Sequence, residues 1–158
     1  MAPKESAADT RRYFLQTAFL QKAVEASKIK VSKKEAEKWA QKMMRAMDQQ
    51  LANNGEDFEK YYEGTGTTEK ELMDEFIKEA EKQLKSRMVL YEIAREQNLL
   101  ATSEEYDAEV HRLAQMSLMP EDRLRELFEA EEAELIKKDI AISKGEEYIG
   151  TLIDASYN

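Results

Sequence analysis

Few residues in this chain are of the types that do chemistry, and their spacing defeats most of what they could do. His111 is the only histidine and cysteine is absent. A zinc or iron centre needs several imidazole or thiolate ligands, so His111 reads as an ordinary helix residue beside Val110 and Leu113. The same shortage removes disulfides, thiolate catalysis and any Ser–His–Asp set. The acidic run Glu126, Glu129, Glu131, Glu132 and Glu134 could attract a divalent cation, but it lacks the Asp-rich loop with a central Gly that calcium requires. With Lys137 and Lys138 downstream, a solvated helix face is expected. Gly64-Thr65-Gly66 looks like a phosphate-cradling loop but has no Lys-Ser/Thr ending and no preceding strand, so a helix-capping turn is expected. No catalytic residue, no metal and no cofactor are expected.

The methionines have more functional pull. There are eight, and Met43, Met44 and Met47 lie within about a turn of each other beside Trp39. A second group, Met116, Leu118 and Met119, precedes Pro120. Methionine is flexible and polarizable, so a surface lined by it can re-pack around unlike apolar partners. Stripes at helical spacing also pack helices together, and Met43 and Met47 fit that reading. Trp39 and Met44 flank the stripe, and the Tyr61–Tyr62 pair reads as part packing, part groove wall.

These residues must be positioned by helices. Of 158 residues, 36% are charged and 42% hydrophobic, only five are Gly and two Pro, and the mean hydropathy is −0.74. Strong helix formers dominate, so an all-α chain with narrow buried stripes is expected. Three capping boxes mark helix starts: Ser32-Lys33-Lys34-Glu35, Thr68-Glu69-Lys70-Glu71 and Thr102-Ser103-Glu104-Glu105. Stops fall at Asn53-Asn54-Gly55, Gly64-Thr65-Gly66 and Asn98. The expected helices run over about 7–27, 33–52, 56–63, 69–97 and 103–116. A last stretch starts with Pro120 at its first position and runs, with a break, to about 155. Residues 1–9 are expected to form a flexible segment ahead of a single domain. Leu72, Phe76, Ala80, Leu84, Met88, Tyr91 and Ala94 form one stripe along the long helix, about 43 Å at 1.5 Å per residue. Ala36, Ala40, Met43, Met47 and Leu51 do the same on the second.

The formal net charge of −9 repels phosphate backbones, and the basic residues are interleaved with acids, so no nucleic-acid partner is expected. No apolar run reaches the length of a membrane span, and nothing at the start resembles a secretory signal. A cytoplasmic protein without a membrane partner is expected.

Five segments in order then carry a family likeness. Ala18-Phe19-Leu20-Gln21-Lys22-Ala23-Val24-Glu25-Ala26-Ser27 resembles the helix end that opens the C-terminal domain of trigger factor, typically ALLEKLVE. Leu51 through Glu69, with Tyr61, Tyr62 and Gly64-Thr65-Gly66, is similar to that family's QGxxxEQYLxxTGxTEEEL segment. Glu79-Ala80-Glu81-Lys82-Gln83-Leu84-Lys85 resembles its EAEKRVK motif. Tyr91-Glu92-Ile93-Ala94-Arg95-Glu96 and Met116 through Pro120-Glu121-Asp122 continue the match. The likeness spans roughly residues 11 to 150. Ser32 stands where the family usually has Pro, and Met119 where it has Ser.

The resemblance implies an elongated all-α body with two projecting helical arms. It also implies ATP-independent holding of unfolded or nascent polypeptides in a cleft between them. Trp39, Met43, Met44, Met47, Tyr61, Tyr62, Met116 and Met119 are then the candidate client-contact residues. Nothing matches the family's ribosome-docking loop or its isomerase domain, so neither ribosome docking nor prolyl isomerisation is expected of the chain itself. Self-association belongs to a different reading, in which the stripes pack against one fixed partner or a second copy.

Overall fold

A computed structural model describes residues 6–156. Among them are seven helices and no strand: α1 (Ala7–Ala26), α2 (Lys33–Asn53), α3 (Phe58–Thr65), α4 (Glu69–Glu96), α5 (Ser103–Met116), α6 (Glu121–Leu127) and α7 (Ala130–Ser156). The all-α class expected from composition is the class observed. Residues 7–9 of the segment expected to be flexible are helical, because α1 already begins at Ala7. Residues 1–5 lie outside the described part.

The helix starts follow from side-chain chemistry. Ser32 and Thr102 each accept the N3 amide, while Glu35 and Glu105 return a carboxylate to the cap's own N–H. Thr68 and Glu71 do the same at 3.2 and 3.0 Å. A fourth box was not evident from the sequence. Ser6 accepts the Asp9 N–H at 3.2 Å and Asp9 accepts the Ser6 N–H at 3.1 Å, with Asp in the place usually filled by Glu or Gln. Pro120 does not open α6 as its first helical residue. It sits one position earlier, at φ −57° and ψ 136°, with no side-chain acceptor for the exposed amides. The break expected in the last stretch falls at Phe128, whose backbone is extended.

The chain divides into two compact units, residues 28–86 and residues 1–27 with 87–158. In the first, α2 buries Ala36, Ala40 and Leu51, and the early part of α4 buries Leu72 and Ala80. The Trp39 Nε1–H donates to Gln83 Oε1 at 2.8 Å and ties α2 to α4. In the second, Leu90, Ile142 and Ile149 form the core, with Leu20, Tyr91, Ile93 and Ile153 packed on it. α7 packs on α1 and α5, and α5 on α6. This core is thin, and Val110 is the largest side chain fully withdrawn from solvent.

Polar contacts join the helices of this second unit. Lys144 Nζ donates to Glu105 at 2.8 Å and to the Leu100 carbonyl at 3.3 Å, linking α7 to the start of α5. Gln16 donates to the Glu146 carbonyl at 2.8 Å, Arg12 pairs with Asp154 at 3.4 Å, and Arg87 pairs with Asp139. Lys144, and after it Thr102, hold the Glu105 carboxyl below the usual carboxylate range. Arg125 and then His111 do so for Glu121, and Arg112 does so for Glu109. A depressed folded value adds stability above the unfolded value, and that stability is lost as pH falls through the folded one. Urea midpoints are therefore expected to drop as pH is lowered from about 5 to about 3. Glu105→Gln should flatten part of that drop. A midpoint that rises over this range would contradict the assignment.

Candidate functional site

The eight residues singled out by sequence fall into both units. Trp39, Met43, Met44, Met47, Tyr61 and Tyr62 lie in residues 28–86, and Met116 and Met119 lie in the other unit. Trp39 is half-buried, with its indole N–H committed to Gln83. The Lys42 ammonium stands 5.3 Å from the Trp39 ring centroid, within cation–π range. Met43, Met44 and Met47 are half-buried, between the buried Ala40 and Leu51. Each methionine therefore shows part of its thioether arm to solvent while the small and branched residues of α2 fill the interior.

On α3, Phe58 and Tyr62 stack with centroids 5.7 Å apart, and Tyr61 meets Tyr62 edge-on at 5.8 Å. The N-cap Asp57, accepting from the Lys60 amide at 2.9 Å, fixes the start of this short helix. Burial, and then the charges of Glu69 and Tyr61, push the Tyr62 hydroxyl above its ordinary value. Tyr62 therefore stays a neutral hydroxyl on a half-exposed aromatic surface. Gly66 closes α3 at φ 72°, which makes Gly64-Thr65-Gly66 a helix cap.

In the other unit Met116 is 69% exposed, with its sulfur 2.7 Å from the Arg112 guanidinium. Met119 is half-buried, and Leu118 between them is 93% exposed. His111 is exposed and bonds Glu121 at 3.0 Å, joining α5 to α6. Glu121 also accepts from Arg125 at 2.7 Å, and Arg125 reaches Asp107 at 3.0 Å. The acidic run Glu126–Glu134 faces solvent. Among the described residues no three of His, Cys, Asp or Glu are grouped to hold a metal ion.

Sequence reasoning missed the largest exposed apolar groups. Tyr13 and Phe14 on α1 are 66% and 65% exposed, and Phe19, Leu100, Leu127, Leu135 and Leu152 are also exposed. Tyr13 and Phe14 meet edge-on at 5.9 Å. The row Arg12, Gln16, Leu20 faces α7 through the contacts to Asp154, Glu146 and the core. Which row of α1 meets α7 decides the exposure of Tyr13, Phe14 and Phe19, and no sequence signal announces that row. Every one of these exposed groups belongs to the unit built from α1 and residues 87–158.

Among the shallow grooves of mixed lining in that unit, two include exposed leucines. One of about 500 Å³ is lined by Tyr91, Leu100 and Leu135 together with Glu131, Glu134, Lys137 and Lys138. Another of about 640 Å³ lies along His111, Ala114, Leu118, Met119 and Pro120.

Residues 4–150 match the family described as the C-terminus of bacterial trigger factor protein (TF). The chain is similar to trigger factor of Agathobacter rectalis, 34% identical over 130 residues, which is 82% of this chain and 29% of the relative. It is similar to trigger factor of Bacillus subtilis, 28% identical over 146 residues, 92% of this chain and 33% of the relative. The chain thus spans about a third or less of the length of these relatives. A solved structure concerning the domains of trigger factor from Thermotoga maritima, and the interactions between them, shares the fold. Its TM-score is 0.60 at 18% identity, covering 89% of this chain and 81% of that one. Among the described residues, no helix is long and apolar enough to cross a membrane.

Proposed function

This chain belongs to the bacterial trigger factor C-terminal family, and we propose that it is an ATP-independent chaperone domain that holds unfolded or nascent polypeptides. The observation that carries the reading is the set of large apolar side chains left exposed on a thin-cored helical unit, among them Tyr13, Phe14, Phe19, Leu118 and Leu135. Exposed apolar area of this kind is a contact surface for other polypeptides. Each site is small, so each contact is weak, and release needs no nucleotide.

Trp39, Met43, Met44, Met47, Tyr61, Tyr62, Met116 and Met119 are proposed to contribute, the methionines by re-packing around different clients. The net charge of −9 keeps a loaded complex in solution. On this reading the chain is a binding domain without catalysis that works in the cytoplasm.

Replacing Tyr13, Phe14 and Phe19 together by Ser tests the reading. These rings are exposed, so stability should change by no more than about 0.5 kcal/mol at each site. The concentration of chain needed to suppress aggregation of a denatured protein should rise by roughly threefold or more. An unchanged requirement, with helicity retained, would count against these rings as contacts.

A further inference from the structure

Three helices of this chain end in the same hydrogen-bonded turn. After α2, Gly55 N–H donates to Ala52 O at 3.0 Å and Glu56 N–H to Leu51 O at 2.8 Å. After α4, Asn98 N–H donates to Arg95 O at 3.2 Å and Leu99 N–H to Ala94 O at 2.7 Å. After α5, Leu118 N–H donates to Gln115 O at 3.3 Å and Met119 N–H to Ala114 O at 3.0 Å. Each is a Schellman turn, whose pivot residue adopts the left-handed conformation. The pivots have φ 72°, 57° and 53° respectively.

Glycine, and after it asparagine, are the residues that take this conformation at least cost. The chain uses them at the first two turns. At the third it places Leu118, whose branched side chain is disfavoured there and is 93% exposed. Packing does not explain the choice, since the side chain reaches no interior. The turn itself does not explain it either, since Gly or Asn would close it better. Leu118 is therefore disfavoured by its backbone and by its exposure together, a combination that marks display.

Resting on the chaperone reading, we propose that Leu118 is a presented anchor that inserts among the apolar side chains of an unfolded polypeptide, with Met116 beside it. The occupant follows from area and from chemistry. A stable dimer needs roughly 800 Å² from each partner, about 20–30 residues a side. The tip offers Leu118, Met116 and the edge of Met119. A flexible thioether arm next to a projecting leucine suits many unlike apolar sequences better than one fixed surface. The His111–Glu121 hydrogen bond and the Arg125–Asp107 ion pair brace α5 against α6, and Glu121 holds Arg125 from within α6, so the turn is presented from a tied pair of helices.

The test is Leu118→Gly in the full chain, with Leu118→Asn as a second variant. The probe is fluorescently labelled, reduced and carboxymethylated lactalbumin, which remains unfolded. Both variants should melt at the wild-type temperature or up to about 4 °C above it, because the backbone conflict is relieved. Both should bind the probe roughly three- to tenfold more weakly. Wild-type binding in both variants would overturn the anchor while leaving the chaperone reading standing. A wild-type chain that binds no unfolded probe would overturn both. Sedimentation showing a wild-type dimer that the variants lose would overturn the client assignment and give Leu118 to a second copy.

Discussion

Gly145→Ala should destabilise the chain, although helix propensity alone predicts the opposite. Gly145 is buried inside α7, where replacing Gly by Ala ordinarily gains about 0.8–1.0 kcal/mol. Here a Cβ would lie 2.5 Å from the Leu90 carbonyl oxygen and 3.3 Å from its carbon. The obstacle is the backbone of α4, which cannot swing aside as a side chain would. Forcing extra atoms into such a contact costs about 1–3 kcal/mol, enough to reverse the sign. Gly145→Leu should be worse, with loss of cooperative melting for the unit that α7 supports. The other glycines supply controls. Gly64 in α3 has nothing within 4 Å of its would-be Cβ, so Gly64→Ala should stabilise by up to about 1 kcal/mol. At Gly150 the obstacle is the Arg12 guanidinium, the movable end of a flexible side chain, so Gly150→Ala should cost less than Gly145→Ala. Urea titration followed by circular dichroism orders the three. Stabilisation by Gly145→Ala would show that α4 and α7 do not approach so closely.

Leu90→Ala is expected to have an effect of similar or greater size for the opposite physical reason. Leu90 is 5% exposed and sits with Ile142 and Ile149, covered by Leu20, Tyr91, Ile93 and Ile153. Deleting a buried leucine side chain costs about 2–5 kcal/mol, the spread reflecting how far the site can collapse. A whole domain is stable by only about 5–15 kcal/mol. Against that total, one leucine is a large share. Tm should fall on the order of 10 °C. Met88→Ala, two residues earlier on α4 and half-buried, should cost distinctly less. Equal costs at the two positions would mean that the buried face of α4 is misassigned.

That pair also shows where the sequence was legible and where it was not. Helix starts were readable because a hydroxyl followed three residues later by a carboxylate is local chemistry. Ser32, Thr68 and Thr102 each cap the helix expected of them, and the ends at Gly55 and Asn98 were readable for the same reason. The apolar spacing of α4 gives one line through Met88 and Tyr91; Leu72, Ala80 and Ala94 on that line are buried, but so are Val89 and Leu90 off it. A single helix serving two cores need not keep one face throughout, and periodicity cannot announce the change. Leu118 was unreadable as a left-handed pivot because leucine is not a residue of that conformation. The exposed rings of α1 were unreadable because their exposure depends on which row of α1 meets α7, a tertiary fact. Of the contact residues expected from sequence, only Met116 lies among the most exposed apolar groups. Trp39 and the α2 methionines are half-buried, so their substitution would mix loss of packing with loss of contact.

The most direct measurement of the central claim uses the unmodified chain and no nucleotide. Several unrelated proteins are denatured, diluted into buffer with a near-stoichiometric amount of this chain, and followed by light scattering. Scattering suppressed for all of them, with no single tight complex in sedimentation, is the predicted result. Suppression of none, or a stable complex with one partner alone, would contradict it.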